Sequence, residues 1–194
     1  MQALLVVDVQ NEFSGKGLRT VPNYEKALRR IARHVEEARE AGWPIAWVQH
    51  FNKPHESKAF VPKTWGSQLS PGMGPQSQSA SERLFTKDVY GAFSAEGLED
   101  WLNELGVRSV LIVGFYAHMC LSTSVREALI RGLDVFIDPE ATGARDLKHP
   151  VLGSQSADEV RRSALLQLTN MGAQVLAQSA KGEKEKRELH VYHA

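Results

Sequence analysis

Cysteine is nearly absent from this chain: Cys120 is the only one among 194 residues. One thiol cannot close an internal disulfide, which agrees with a reducing cytoplasm, the location expected here. An excess of charge is missing too. Lys+Arg and Asp+Glu both number 23, so the formal net charge is zero. No basic surplus points to nucleic acid or to an anionic membrane, and no acidic block is present. A near-neutral surface favours self-association, and a homo-oligomer is expected. No apolar run approaches the ~18 residues of a transmembrane helix. Met1-Gln2-Ala3 lacks the basic start of a signal peptide, and the apolar stretch after it is broken by Asp8. No glycine-rich phosphate loop stands at any strand–helix turn. The expected partner is a small-molecule substrate, not nucleic acid and not a membrane.

What the chain does have is alternation. Ala3 to Val7 reads as a buried strand ending at Asp8. After Pro22, the residues Leu28, Ile31, Val35 and Ala38 recur at helical spacing until Gly42. Pro44 to Gln49 reads as a second strand, and Leu84-Phe85-Thr86 as a short third one leading to Lys87. Leu98, Trp101, Leu102 and Leu105 share a helix face ended by Gly106. Ser109 to Val113 is a strand closed by Gly114, and Cys120 to Ile130 a helix. Val135 to Ile137, a helix from Ser156 to Leu168, and a strand from Gln174 to Ala177 complete the pattern. Residues 50–81 dissolve into Pro, Gly, Ser and Gln and read as a binding loop or lid. Residues 1–180 therefore form one α/β domain, with a charged tail over 181–194. Strands alternating with helices predict a doubly wound parallel sheet covered on both faces, a Rossmann-like three-layer sandwich. Ligands of such sheets bind beyond the carboxyl ends of the strands, which directs attention to Asp8, His50, Lys87 and the segment after Gly114.

Cys120 opens a helix, where the dipole and free N–H groups favour thiolate and could hold an oxyanion. The competing reading is a buried structural cysteine. Asp8, a carboxylate directly after an apolar strand, is either a proton acceptor or a loop cap. Lys87 is either a partner for both anions or a solvated surface lysine.

These three residues converge on a resemblance. Asp8-Val9-Gln10-Asn11-Glu12-Phe13, Lys87 with Tyr90-Gly91-Ala92-Phe93, and Gly114-Phe115-Tyr116-Ala117-His118-Met119-Cys120 occur in order and at separations similar to those of the isochorismatase-like cysteine hydrolases. That superfamily includes nicotinamidases, carbamoyl-amide hydrolases and isochorismatases. Arg126-Glu127-Ala128, Gly132 and the region of Asp138 continue the pattern, so the resemblance spans about Leu4 to Leu147. It implies a catalytic triad of Asp8, Lys87 and Cys120, with Asp8 as general base and Cys120 as nucleophile. It also implies a cis peptide joining Phe115 to Tyr116, so that the N–H groups of Tyr116 and Cys120 form an oxyanion hole. Ala117 stands where the family often has Thr, which leaves the backbone donors in place.

The resemblance to nicotinamidases is incomplete. Their Asp-x-His metal motif is matched here by His50-Phe51-Asn52, without the carboxylate, so no metal and no cofactor are expected. Phe13, His50, Trp65, Tyr90, Phe93 and Tyr116 are the candidate substrate contacts, the aromatics among them reading equally as core or lid packing. His118 reads as a structural hydrogen-bonder or as a group facing the pocket. The function expected is cleavage of a C–N bond in a small amide, carbamoyl compound or lactam-like ring. Vinyl ether hydrolysis of the isochorismatase type is the alternative within the family. Outside it stand a non-catalytic binding module and a thiol redox sensor, the latter without a resolving cysteine in the chain.

Overall fold

The computed structural model describes residues 1–53 and 55–176. Strands β1 (Gln2–Val7), β2 (Ile45–His50), β3 (Glu82–Lys87), β4 (Ser109–Phe115), β5 (Asp134–Gly143) and β8 (Gln174–Val175) form one sheet in the order β3-β2-β1-β4-β5-β8. Every pairing in it is parallel. Helices α1 (Tyr24–Glu40), α2 (Leu98–Glu104), α3 (Cys120–Ile130) and α4 (Ala157–Asn170) make the crossovers.

The run Ala-Leu-Leu-Val-Val works because both faces of a central parallel strand are buried. Ala3, Leu5 and Val7 join Leu98, Val125 and Leu168 of α2, α3 and α4 on one face. Leu4 and Val6 meet Ile31, Val35 and Ala38 of α1 on the other. Each fully buried Leu, Val or Ile contributes about 1.5–3 kcal/mol. The apolar stripe of α1 therefore fixes which side of the sheet it covers.

The chain winds outward from β1 through β2 to β3, then returns to place β4 on the opposite side of β1. That reversal puts the ends of β1, β2, β3 and β4 around one crevice. Register aligns them: Val7 pairs with Val48 and Gly114, and His50 pairs with Lys87. Gly114 has a φ of +122°, and a Cβ there would lie 1.9 Å from the Val7 carbonyl oxygen. Only glycine lets β4 pass so close to the end of β1.

Two elements differ from the sequence reading. β5 continues past Ile137 through Pro139 to Gly143. Its pairing with β4 shifts between Ile112 and Gly114, and β8 reaches only Phe136 and Ile137. Pro139 thus sits where no ladder bond is asked of its missing N–H. The hairpin of β6 (Leu147–His149) and β7 (Gly153–Gln155) was not expected. Its exposed sequence carries no apolar alternation to announce a strand. α4 begins with a capping box in which Ser156 and Glu159 bond reciprocally. Ala177 and the 181–194 tail lie outside the described residues. No helix among the described residues is long and apolar enough to cross a membrane.

Candidate active site

Asp8, at the end of β1, has a φ of +54°. Asp is one of the few residues found in this left-handed region with any frequency. Its Oδ2 accepts from Lys87 Nζ at 2.7 Å, and the two side chains are 1% and 0% exposed. Lys87 Nζ also donates to the Val89 carbonyl at 3.1 Å and lies 3.3 Å from His50 Nδ1. Burial alone would push the Lys87 ammonium towards neutrality. The Asp8 carboxylate, by charge and by hydrogen bond, outweighs it, and the net shift is upward. Lys87 is therefore a buried cation held by a buried anion, an arrangement that leaves a strongly uncompensated charge if either partner is removed.

His50 is fully engaged. Its Nδ1 faces an ammonium and so must accept; Nε2 then carries the proton and donates to Asn52 Oδ1 at 2.8 Å. No group of three or more His, Cys, Asp or Glu side chains among the described residues is placed to hold a metal ion.

Cys120 is the first residue of α3 and is 8% exposed. The expectation that its helix position lowers the thiol pKa is overturned. Desolvation first, then the Asp8 carboxylate, hold the pKa well above its ordinary value, and Lys87 only partly opposes them. A helix dipole is weak against burial next to an anion. The resting group is a thiol. Asp8 Oδ1 is buried and has no hydrogen-bond partner of good geometry among the described residues, although the carboxylate acts on Cys120 electrostatically.

The Phe115–Tyr116 peptide bond is cis. Ala117 N–H donates to the Gly143 carbonyl at 2.8 Å, tying the turn after β4 to the end of β5. The Tyr116 hydroxyl donates to the Arg19 carbonyl at 2.6 Å, and burial pushes its pKa up to about 12. The backbone N–H groups of Tyr116 and Cys120 have no acceptor among the described residues. His118 does not act as a structural hydrogen-bonder, since neither buried ring nitrogen has a partner among the described residues. Burial and then Arg145 lower its pKa to about 4, so the ring is neutral.

Of the aromatic candidates, Phe13 is buried with its ring 4.8 Å from that of Tyr116. Phe93 is buried in the same apolar cluster as Cys120. Trp65 and Tyr90 are about half exposed, at 48% and 55%. Several supporting residues carried no assignment in the sequence. Gln10 bonds both backbone groups of His50 and the Ser67 carbonyl. Ser124, fully buried on α3, donates to the Cys120 carbonyl and accepts from Ala92 N–H. Glu127 Oε2 accepts from Phe93 N–H. Gln10 and Glu127 stand in stretches that carry the family resemblance but were given no role of their own; Ser124 left no sequence signal.

A covered parallel sheet with a buried carboxylate, ammonium and thiol gathered at its switch point defines an α/β protein with a polar crevice at its strand ends. The comparisons narrow this. The isochorismatase domain model matches residues 2–179. A secreted isochorismatase effector, Isc1, from Verticillium dahliae is 31% identical over 145 residues, covering 74% of this chain and 73% of the relative. Nicotinamidase 3 of Arabidopsis thaliana is 27% identical over 150 residues, 72% of each. The crystal structure of an isochorismatase from Pseudomonas putida aligns with a TM-score of 0.80 at 28% identity, covering 90% of this chain and 86% of that one. The chain belongs to the isochorismatase family, and it is a hydrolase.

Proposed function

We propose that this hydrolase cleaves the C–N bond of a small amide or carbamoyl compound through a thioester on Cys120. The observation that carries the reading is the buried Asp8–Lys87 pair beside the thiol, with Asp8 Oδ1 left as an open acceptor. The Cys120 proton passes to Asp8 as Sγ attacks the carbonyl carbon. A thiol held protonated is reactive only if its proton leaves during attack, so the raised pKa makes the neighbouring carboxylate necessary. The carbonyl oxygen becomes an oxyanion, for which the unused N–H groups of Tyr116 and Cys120 are available. The C–N bond then breaks, and protonated Asp8 returns its proton to the departing nitrogen. Water attacks the thioester, Asp8 accepts one of its protons, and the acid leaves as that proton restores the thiol. Lys87 remains an ammonium throughout and keeps Asp8 ionised between proton transfers. Phe13, His50 and Tyr116 wall the reacting centre; Trp65, Tyr90 and Phe93 are further substrate contacts in this reading.

Nicotinamidase 3 is named for an amide substrate, which supports C–N cleavage. The name of Isc1 supports the second reading, isochorismatase chemistry, which does not need a thiol nucleophile. The test is hydrolysis by wild type and Cys120→Ala on nicotinamide, carbamoylated amines, simple lactams and isochorismate, read as released ammonia or acid. Amide turnover that vanishes in Cys120→Ala is the expected result. Isochorismate turnover that survives the substitution overturns the nucleophile.

A further inference from the structure

Phe60 is a bulky residue with a φ of +55°, a conformation it adopts only when its surroundings hold it there. Its N–H donates to Glu12 Oε1 at 3.2 Å and its carbonyl accepts from Asn52 N–H at 3.2 Å. The ring is 5.2 Å from Phe13 and 5.4 Å from His50. Those two neighbours are the ones that touch Tyr116 and Lys87 respectively. Phe60 therefore packs between a neighbour of Tyr116 and a neighbour of Lys87.

Glu12 is the hub beneath it. The residue is 3% exposed and makes no ion pair among the described residues. Among the described residues its carboxylate is bound only by backbone donors, Leu18 N–H at 2.7 Å and Phe60 N–H. Its own N–H donates to the Gly66 carbonyl at 2.9 Å, and its carbonyl accepts from Arg19 N–H at 3.0 Å. A Cβ on Gly66 would stand 2.2 Å from Glu12 Oε1, and one on Gly17 would stand 2.0 Å from the Glu12 carbonyl oxygen. Two loops have thus given up side chains to close on this residue. A buried carboxyl group is costly unless its oxygens are bonded, and among the described residues loop amides supply those bonds.

We propose that Glu12 is a latch: it seats Phe60 over Cys120 and so makes the segment from Ser57 to Gln68 a lid that controls access to the thiol. Glu12 is a positioning residue, and Phe60 is the part of the lid that meets substrate. The proposal rests on Cys120 being the reactive group, but not on the bond that Cys120 cleaves. Its test needs no substrate, because the single cysteine makes iodoacetamide alkylation, followed by whole-protein mass, a direct readout of access to Cys120.

Glu12→Gln keeps the shape of the side chain but turns one acceptor into a donor facing an N–H. Alkylation is expected to accelerate about tenfold or more at fixed pH, the scale of losing one hydrogen bond to a charged group. Amides between Ser57 and Gln68 should lose hydrogen-exchange protection while β1 and β4 keep theirs. Phe60→Ala should give the same acceleration with the latch intact. An alkylation rate within twofold of wild type in a folded Glu12→Gln protein overturns the latch. If Glu12→Gln loses protection throughout the sheet, Phe60→Ala decides: acceleration supports the lid, and an unchanged rate overturns it.

Discussion

Cys120, the nucleophile of the proposed reaction, is held as a thiol at rest. Its Sγ is buried beside a carboxylate, and both facts favour the thiol. Alkylation of the wild-type protein is therefore expected to keep rising with pH beyond 9 without a plateau near neutrality, because the pKa is displaced above that of an ordinary thiol. A plateau below pH 7 would place the thiolate in the resting enzyme. Asp8→Asn separates the two roles of the carboxylate. Removing the negative charge lowers the thiol pKa, so alkylation at neutral pH should speed up. In the proposed mechanism hydrolysis should fall by about 10²–10⁴, because Asp8 is there the acceptor for the proton. Lys87→Met leaves Asp8 buried without its cation and should cost about 3–5 kcal/mol in urea denaturation. Asp8→Asn in the same chain should restore part of that loss. A double variant no more stable than Lys87→Met would show that the pair is not coupled in the fold.

At the scale of elements, the site is held by side chains that do no chemistry. Gln10, Asn11 and Glu12 bond the backbone of His50 and of the lid segment, and Ser124 and Glu127 bond the backbone of Ala92 and Phe93. The turn leaving β3 is thereby docked on the helix that Cys120 opens. Gly91 is part of that fit, since a Cβ there would meet the Glu127 carboxylate at 1.9 Å. Ser124→Ala removes an acceptor from a buried amide and is expected to cost about 1–3 kcal/mol. Circular dichroism should show the helix retained, and the denaturation midpoint should fall. A midpoint unchanged from wild type would mean that Ala92 N–H finds another acceptor. These docking contacts were not legible in the sequence, because a serine inside a helix looks the same whether it faces solvent or a neighbouring amide. Asp8, Lys87 and Cys120 were legible, because their order and separations match a family pattern. Periodicity could have supplied only the strand ends.

At the scale of the whole molecule, the alternation of short apolar runs with amphipathic helices was enough to give a doubly wound sheet, since covered parallel strands have little room for polar residues. What alternation could not show was β5 running on through Pro139, or the polar partners that secure the layers. Asp138, on that extended part of β5, is the chief example. It is 3% exposed and is bonded by Arg30 Nε, by His34 Nε2 at 2.7 Å and by Glu140 N–H at 2.8 Å. The contact pins α1 to the sheet. Burial alone would raise the Asp138 pKa; the bonds from His34, Glu140 and Arg30 outweigh it and hold the carboxyl below its ordinary 3.8. A carboxyl depressed in the folded state contributes stability in full above its unfolded value of about 3.9, and the contribution is lost as pH falls through the folded value. Wild-type stability should therefore decline as the pH drops below about 4. Asp138→Asn should be less stable by about 1–3 kcal/mol at pH 7, the penalty for leaving buried donors poorly paired. The gap between the two proteins should narrow as the solution is acidified. Thermal denaturation of both from pH 7 to pH 2 checks this. A gap that stays constant across the range would remove Asp138 as the source of acid sensitivity and shift attention to Glu82, whose pKa is also lowered, burial being outweighed by Arg39 and Trp47.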